Sequence, residues 1–259
     1  MRKKIYFGKT VKSSRNKFKN IYSYGFFTRN GGTSDSEFES LNCAFNNKDS
    51  KENVLKNRDI VLKQFKNSFL DLITINQVHS TKVVEINQLN KNQKKTADAM
   101  ITKSKGILLG ILTADCAPVI IIGSVYVAII HVGWKGLLNG ILENTIKLLI
   151  KKGERQADLI CKVGPHLKWK SFIVKNDFIK KLLKKNKNNS KFLTKINDIT
   201  YFNFTKYIEF KFNILGITQF SFSNLDTYSN PSLFFSYRYS KKMNINLCGR
   251  QISVVGIID

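Results

Sequence analysis

Three histidines, His79, His131 and His166, and four cysteines, Cys43, Cys116, Cys161 and Cys248, are all that the chain offers for imidazole or thiol chemistry. Three of these seven residues stand at suggestive places. Cys116 lies in TADCAPV, after the apolar run ILLGIL at 107–112. His131 ends a second run, VYVAII at 125–130, and opens HVGWKG. His79 sits in NQVHS, just after LITIN at 72–76. Each falls at the end of a segment that reads as a strand, where loops carry reactive groups on a rigid frame.

Two chemistries use these residue types. Zinc binds neutral imidazole nitrogen and thiolate sulfur, and three protein ligands leave a fourth position for water or substrate. His79, Cys116 and His131 are therefore a candidate ligand set. Cys116 and His131 alone make a candidate nucleophile–base dyad. A third reading is structural, because none of the pairs has the short spacing of a zinc finger. The residues by themselves leave all three open.

Further candidates surround this trio. HVGWKG reads as a glycine-rich turn opening a helix at 137, with Lys135 in the turn. Free N–H groups and the positive end of the helix dipole there suit a phosphate or carboxylate, unless the turn is an ordinary connection. Arg29 in GFFTRNGGTSD and Arg58 in the first helix are candidate anion clamps or salt-bridge partners. Asp115, beside Cys116, and Gln77, two before His79, are candidates for proton transfer, and Asp115 equally reads as a loop anchor.

The elements that must position these groups are mostly strands. Besides the runs above, KVVEI (82–86), PVIII (118–122), DLICKVG (158–164), ITQFSFS (217–223) and ISVVGII (252–258) read as β. Helical periodicity is expected over 52–65, with Val54, Val61 and Phe65 in register, over 137–152 and over 176–186. Leu138, Ile141, Leu142, Thr145, Ile146 and Leu149 give the second helix a broad apolar stripe. Strands outnumber helices without alternating regularly, which points to mixed α+β rather than a doubly wound sheet. With no repeat and no Pro- or Gly-rich linker, one domain over 1–259 is expected, residues 1–20 forming a loosely ordered basic start.

Composition narrows the class. The 259 residues carry a formal net charge of +25, yet 36 lysines stand against 7 arginines. Phosphate and base recognition favours the arginine fork, and the lysines are scattered, so the charge favours anionic ligands in general and no specific nucleic acid. The segment 106–130 is interrupted by Asp115, Pro118 and Gly123 and cannot span a membrane. MRKKIYFGKT lacks the apolar stretch of a signal peptide, and four distant cysteines with no CxxC pair fit a reduced, cytoplasmic setting.

The segments GFFTRNGGTS, ESLNCAF, NRDIVL, NQVHS, ADAMIT, TADCAPV, HVGWKG, VGPHL, FFSYR and GRQISVVGI, in this order, resemble the purine nucleoside phosphorylase family. That family is also labelled laccase-domain or polyphenol oxidase proteins. The likeness runs from about residue 22 to 258. It implies a single α+β domain, sheets packed inside helices, similar to the catalytic fold of cytotoxic necrotizing toxins. It implies zinc on His79, Cys116 and His131, with copper open in the same site. The implied activity is phosphorolysis of adenosine, inosine and methylthioadenosine, with adenosine deamination alongside, by a monomer or weak homo-oligomer. Arg238 in FFSYR joins Arg29, Arg58, Gln77, Asp115 and Lys135 as expected substrate contacts.

Three positions depart from the family's pattern. Ile173 stands where a glutamate is usual, Tyr239 replaces a second arginine after FFSYR, and Asn203 replaces an aspartate. A thiol hydrolase of the cell-wall-precursor editing type is a further implied activity, resting on the Cys–His pair. Multicopper oxidation is disfavoured by counting. Beyond a blue-copper set of two histidines, one cysteine and a weak ligand such as Met100, only His166 would remain for further copper centres.

Overall fold

The computed structural model describes residues 6–11, 21–45, 48–66 and 68–258. The first half runs β1 (Tyr6–Val11), β2 (Tyr22–Phe27), α1 (Lys51–Lys63), β3 (Asp71–Thr74), β4 (Val83–Glu85), β5 (Ala99–Thr102), β6 (Ile107–Thr113), β7 (Ala117–Ile122) and β8 (Val127–Val132). It continues with α2 (Trp134–Asn139), α3 (Ile141–Lys151), β9 (Ile160–Val163), β10 (Ile173–Val174) and α4 (Asn176–Lys185). The last part holds β11 (Leu193–Ile196), β12 (Ile199–Phe202), α5 (Phe204–Ile214), β13 (Gln219–Phe222), α6 (Tyr237–Lys242) and β14 (Gln251–Ile257).

Two mixed sheets carry the fold. One has the order β1-β2-β14-β6-β3, with β3 and β6 parallel and the other pairs antiparallel. The other has the order β13-β9-β7-β8-β5-β4, parallel at both edges and antiparallel between them. A small sheet, β10-β12-β11, is antiparallel.

The alternation of side chains along each strand builds four layers. Leu109, Ile111, Met100, Ile120, Val127, Ile129 and Val255 meet between the two large sheets. Residues of opposite parity, Ile101, Val119, Ile121, Ala128 and Ile130, turn to α3 and α5. On the other sheet Phe27, Leu108, Ile252 and Val254 turn to Val61 of α1. A strand buried on both faces reads as an unbroken apolar run, which is why ILLGIL and PVIII are legible. Each fully buried aliphatic side chain contributes roughly 1.5–3 kcal/mol of hydrophobic free energy.

The expected helix over 137–152 is corrected. It begins at Trp134 and breaks at Gly140, whose φ of 105° is left-handed and terminates α2 before α3 starts. Glycine takes that conformation at no steric cost, so the chain turns there. The helix expected over 52–65 spans Lys51–Lys63, capped by the Ser50 hydroxyl on the Asn53 N–H. α4 matches the helix expected over 176–186 to within a residue. Part of the segment expected as a loose start, Tyr6–Val11, is a paired strand, and 1–5 and 12–20 lie outside the described residues.

The result is an α+β domain with mixed sheets between flanking helices. None of the four cysteines is in a disulfide, and no helix among the described residues is long and apolar enough to cross a membrane.

Candidate metal centre

The site forms at one end of the two-sheet sandwich. Pro118 of β7 pairs with His131 of β8, so the register sets Cys116, just before β7, near His131. Both share the parity of the inward-facing Ile120 and Ile129. His79 comes from elsewhere. β3 and β4 belong to different sheets, and the crossover between them carries His79 across the mouth of the sandwich, with a left-handed φ of 57°. One ligand atom from each of His79, Cys116 and His131 lies within 4.8 Å of the other two. The imidazole rings of His79 and His131 meet edge to face, their centroids 4.7 Å apart.

Asp98, immediately before β5, is fully buried behind the trio. Its Oδ1 lies 2.8 Å from His131 Nδ1 and accepts the His79 backbone N–H at 2.9 Å. Its Oδ2 accepts the Ser80 N–H and hydroxyl at 2.5 and 2.7 Å. Burial alone would raise this carboxyl, but the His131 and Ser80 hydrogen bonds outweigh it and hold the pKa at about 2. Burial likewise opposes charge on His131. The neighbouring Cys116 and the Asp98 carboxylate overcome it and raise the imidazole to about 9 in the metal-free protein. His79 is lowered by burial, then by His131, with Lys135 and Arg250 adding to the effect.

Gly133 completes the cradle. A Cβ there would collide with the His79 ring and stand 3.4 Å from Cys116 Sγ. Two imidazoles and one thiol converging on one point, with a carboxylate behind one imidazole, make a donor set suited to a three-ligand metal ion such as zinc or copper. The residues fit such an ion.

The other expected contacts are distributed differently. Lys135 is exposed and lies over the Trp134 ring at 5.8 Å. Its helix has only six residues. Asp115, at φ 95°, accepts the Thr227 hydroxyl at 2.7 Å and the Arg238 N–H at 2.8 Å, so it ties the cysteine turn to the 227–238 segment. Arg238 Nη1 donates to the Ile173 carbonyl at 2.8 Å. Gln77 binds Leu112 through both ends of its amide, at 2.8 Å each, and thereby extends the β3–β6 pairing. Arg29 donates to the Glu39 and Pro231 carbonyls, and Arg58 to the Cys43 carbonyl and the Thr74 hydroxyl. Both arginines are held among loops near β2 and α1.

Sequence reasoning passed over Asp98, Gly133 and Arg250. Asp98 had one visible signal: a lone acid in ADAMIT at the head of an apolar strand. His166 belongs to a separate cluster, its ring nitrogens on the Gly164 carbonyl and the Thr205 hydroxyl. Met100 lies in the sandwich core.

Known proteins resemble this chain in sequence and in fold. A purine nucleoside phosphorylase of Rickettsia prowazekii is 29% identical over 243 residues, covering 92% of this chain and 97% of that protein. One of Haemophilus influenzae is 31% identical over 250 residues, covering 92% and 94%. The crystal structure of a Neisseria meningitidis protein superposes with a TM-score of 0.84 at 25% identity, covering 99% and 100% of the two chains. A Bacillus licheniformis structure gives 0.83 at 27%, covering 91% and 92%. The family model described as multi-copper polyphenol oxidoreductase laccase matches residues 23–258. The chain therefore belongs to that laccase-domain family, whose curated relatives bear the name purine nucleoside phosphorylase.

Proposed function

We propose that the protein is a zinc-dependent purine nucleoside phosphorylase, acting on adenosine, inosine and methylthioadenosine with phosphate, and deaminating adenosine in the same site. The observation that carries the reading is the convergence of His79, Cys116 and His131 on one point, in a chain similar over nine-tenths of its length to proteins so named. A zinc ion held by these three residues would supply Lewis acidity at the mouth of the sandwich.

The chain's own residues supply the rest. In phosphorolysis a phosphate oxygen bonds to the ribose carbon as the bond to the base nitrogen breaks, through a cation-like transition state. Lys135 and Arg250, close enough to depress His79, give the positive surroundings that hold phosphate for that attack. A cleft of about 340 Å³, joined to Asp115 through the Ser236 side chain, is lined by Arg29, Phe234, Phe235, Ser236 and Tyr239, aromatic faces and polar groups of the kind a nucleoside needs.

Zinc is favoured over the copper chemistry of the family's label because the trio is the one cluster of three or more His, Cys, Asp or Glu side chains poised for metal among the described residues. The remaining histidine, His166, is buried in its own hydrogen bonds. The test is metal content of the purified protein and of His79→Ala, with phosphate-dependent release of base from adenosine and inosine. About one zinc per chain, lost with base release in the variant, supports the reading. A protein that releases base equally well without phosphate sinks it.

One observation favours a second reading. Cys116, His131 and Asp98 stand as thiol, imidazole and carboxylate in sequence of contact, the order of a nucleophile, its base and the group that orients the base. A thiol hydrolase of that kind would need no metal and no His79. The expected likeness to the toxin catalytic fold, with its Cys–His pair, belongs with this reading.

A further inference from the structure

We infer that Asp98 is the positioning residue that assembles the metal site, one carboxylate fixing His131 through its ring and His79 through its backbone; the inference rests on the metal reading of the trio. Two features of the fold bring this about. The β5–β8 register pairs Ala99 with Ile130, which sets Asp98 beside His131, and the His131 N–H donates to the Asp98 carbonyl at 2.7 Å. The crossover from β3 to β4 then wraps the Asp98 side chain.

Five donors converge on its two oxygens. Oδ1 takes the His131 ring N–H and the His79 backbone N–H, and Oδ2 takes the Ser80 N–H, the Ser80 hydroxyl and, at 3.3 Å, the Val78 N–H. A carboxylate offers about four lone-pair sites, so this one is saturated. Asp98 is therefore not a metal ligand itself. Its part is to hold a proton of His131 on Nδ1, so that Nε2 is the nitrogen that gives up its proton and coordinates a metal beside Cys116. It also fixes the left-handed turn at His79, so that the exposed end of the crossover presents its ring to the other two ligands.

An asparagine at 98 is nearly isosteric but has one acceptor oxygen and one NH2 group. Whichever way it turns, two N–H groups meet on one side. Either the His131 ring or the crossover loses its anchor.

The test uses the full chain as wild type, Asp98→Asn, Ser80→Ala and His131→Gln. Zinc affinity is read by competition with a chromophoric chelator, and the His131 ring by nitrogen-edited NMR of the metal-free protein. Asp98→Asn is expected to bind zinc about 10–100-fold more weakly, and Ser80→Ala, which leaves Oδ1 untouched, only a few-fold more weakly. In wild type a downfield ring N–H resonance should report Nδ1 protonation, be absent from His131→Gln, and shift or vanish in Asp98→Asn. Wild-type zinc affinity in Asp98→Asn with that resonance unchanged overturns the inference. Should Asp98→Asn not fold, a wild-type ring protonated on Nε2 instead overturns it. Zinc absent from wild type with the Nδ1 resonance present would sink the metal reading and leave the positioning role standing.

Discussion

Gly133 lies against His79 so closely that the smallest side chain at 133 would overlap the imidazole, while a Cβ there would be in ordinary contact with Cys116. The two proposed chemistries respond differently to this wedge. Gly133→Ala pushes His79 away and leaves the Cys116–His131–Asp98 line in place. Zinc content should fall below about a tenth of wild type, and base release with it. A variant that loses zinc yet keeps a thiol-dependent hydrolase activity would select the second reading. One that holds zinc and turns over as wild type would show that His79 is not needed in its present position.

Metal removal gives an independent check. Dialysis against a strong chelator should abolish phosphate-dependent base release, and added zinc should restore it. Alkylation before chelation should be slow if Cys116 is a metal ligand, because a coordinated sulfur is masked. The other three thiols are buried, so mass mapping of the alkylated site reports on Cys116. Activity that survives the chelator and dies on alkylation points to the thiol dyad.

The trio was legible because scarce residue types ended apolar runs, and the runs were legible because the central strands are buried on both faces. Other parts were hidden for physical reasons. α5 buries Phe204, Tyr207, Ile208 and Phe212, a helical spacing masked by aromatic and β-branched residues that favour strands. The short strands β10, β11 and β12 are half exposed and carry little apolar signal. Asp98 could not be assigned from sequence, since its role depends on the register of β5 against β8 and on a crossover between sheets. Gln77 and Asp115 sit beside the right residues in sequence, but their side chains turn to backbone and loop partners that only the fold supplies.

The departure at Asn203 has a structural account in a helix cap. Asn203 caps α5, its side-chain oxygen accepting the Lys206 N–H at 3.0 Å, and aspartate caps equally well. Asn203→Asp should therefore leave stability within about 0.5 kcal/mol, while Asn203→Ala should cost about 1 kcal/mol. Urea denaturation of the three proteins measures both. Base release should track neither substitution; a large rise with Asn203→Asp would give the position a role beyond the cap.

Ile173 is a different case, because its side chain is 44% exposed and its carbonyl holds Arg238. Ile173→Glu should fold with stability within about 0.5 kcal/mol of wild type, as exposed substitutions do. It would set a carboxylate near the Arg238 guanidinium. If the isoleucine limits turnover, kcat rises in the variant with little change in Tm. Unchanged kinetics would remove Ile173 from the account of this site.

His166 predicts how the fold responds to acid. The ring is fully buried, donates from Nδ1 to the Gly164 carbonyl at 2.7 Å, and has its Nε2 beside the Thr205 hydroxyl and the Lys168 ammonium. Burial first, then the Lys168 charge, pushes its pKa down to about 3. The unfolded chain takes up this proton near the ordinary value of about 6.5. Between those two values the unfolded state therefore binds more protons than the native state. The contribution of a neutral His166 is complete above about pH 6.5 and is lost as pH falls toward 3, at up to about 1.4 kcal/mol per pH unit. Lys168, lowered to about 8 by burial despite the Asp226 charge, stays protonated throughout this window and adds no slope there. Urea denaturation of the metal-free protein at pH 7.5, 6 and 5 should show the loss, and His166→Asn should reduce the slope by close to one proton. An equal slope in the variant would mean that the acid sensitivity arises elsewhere.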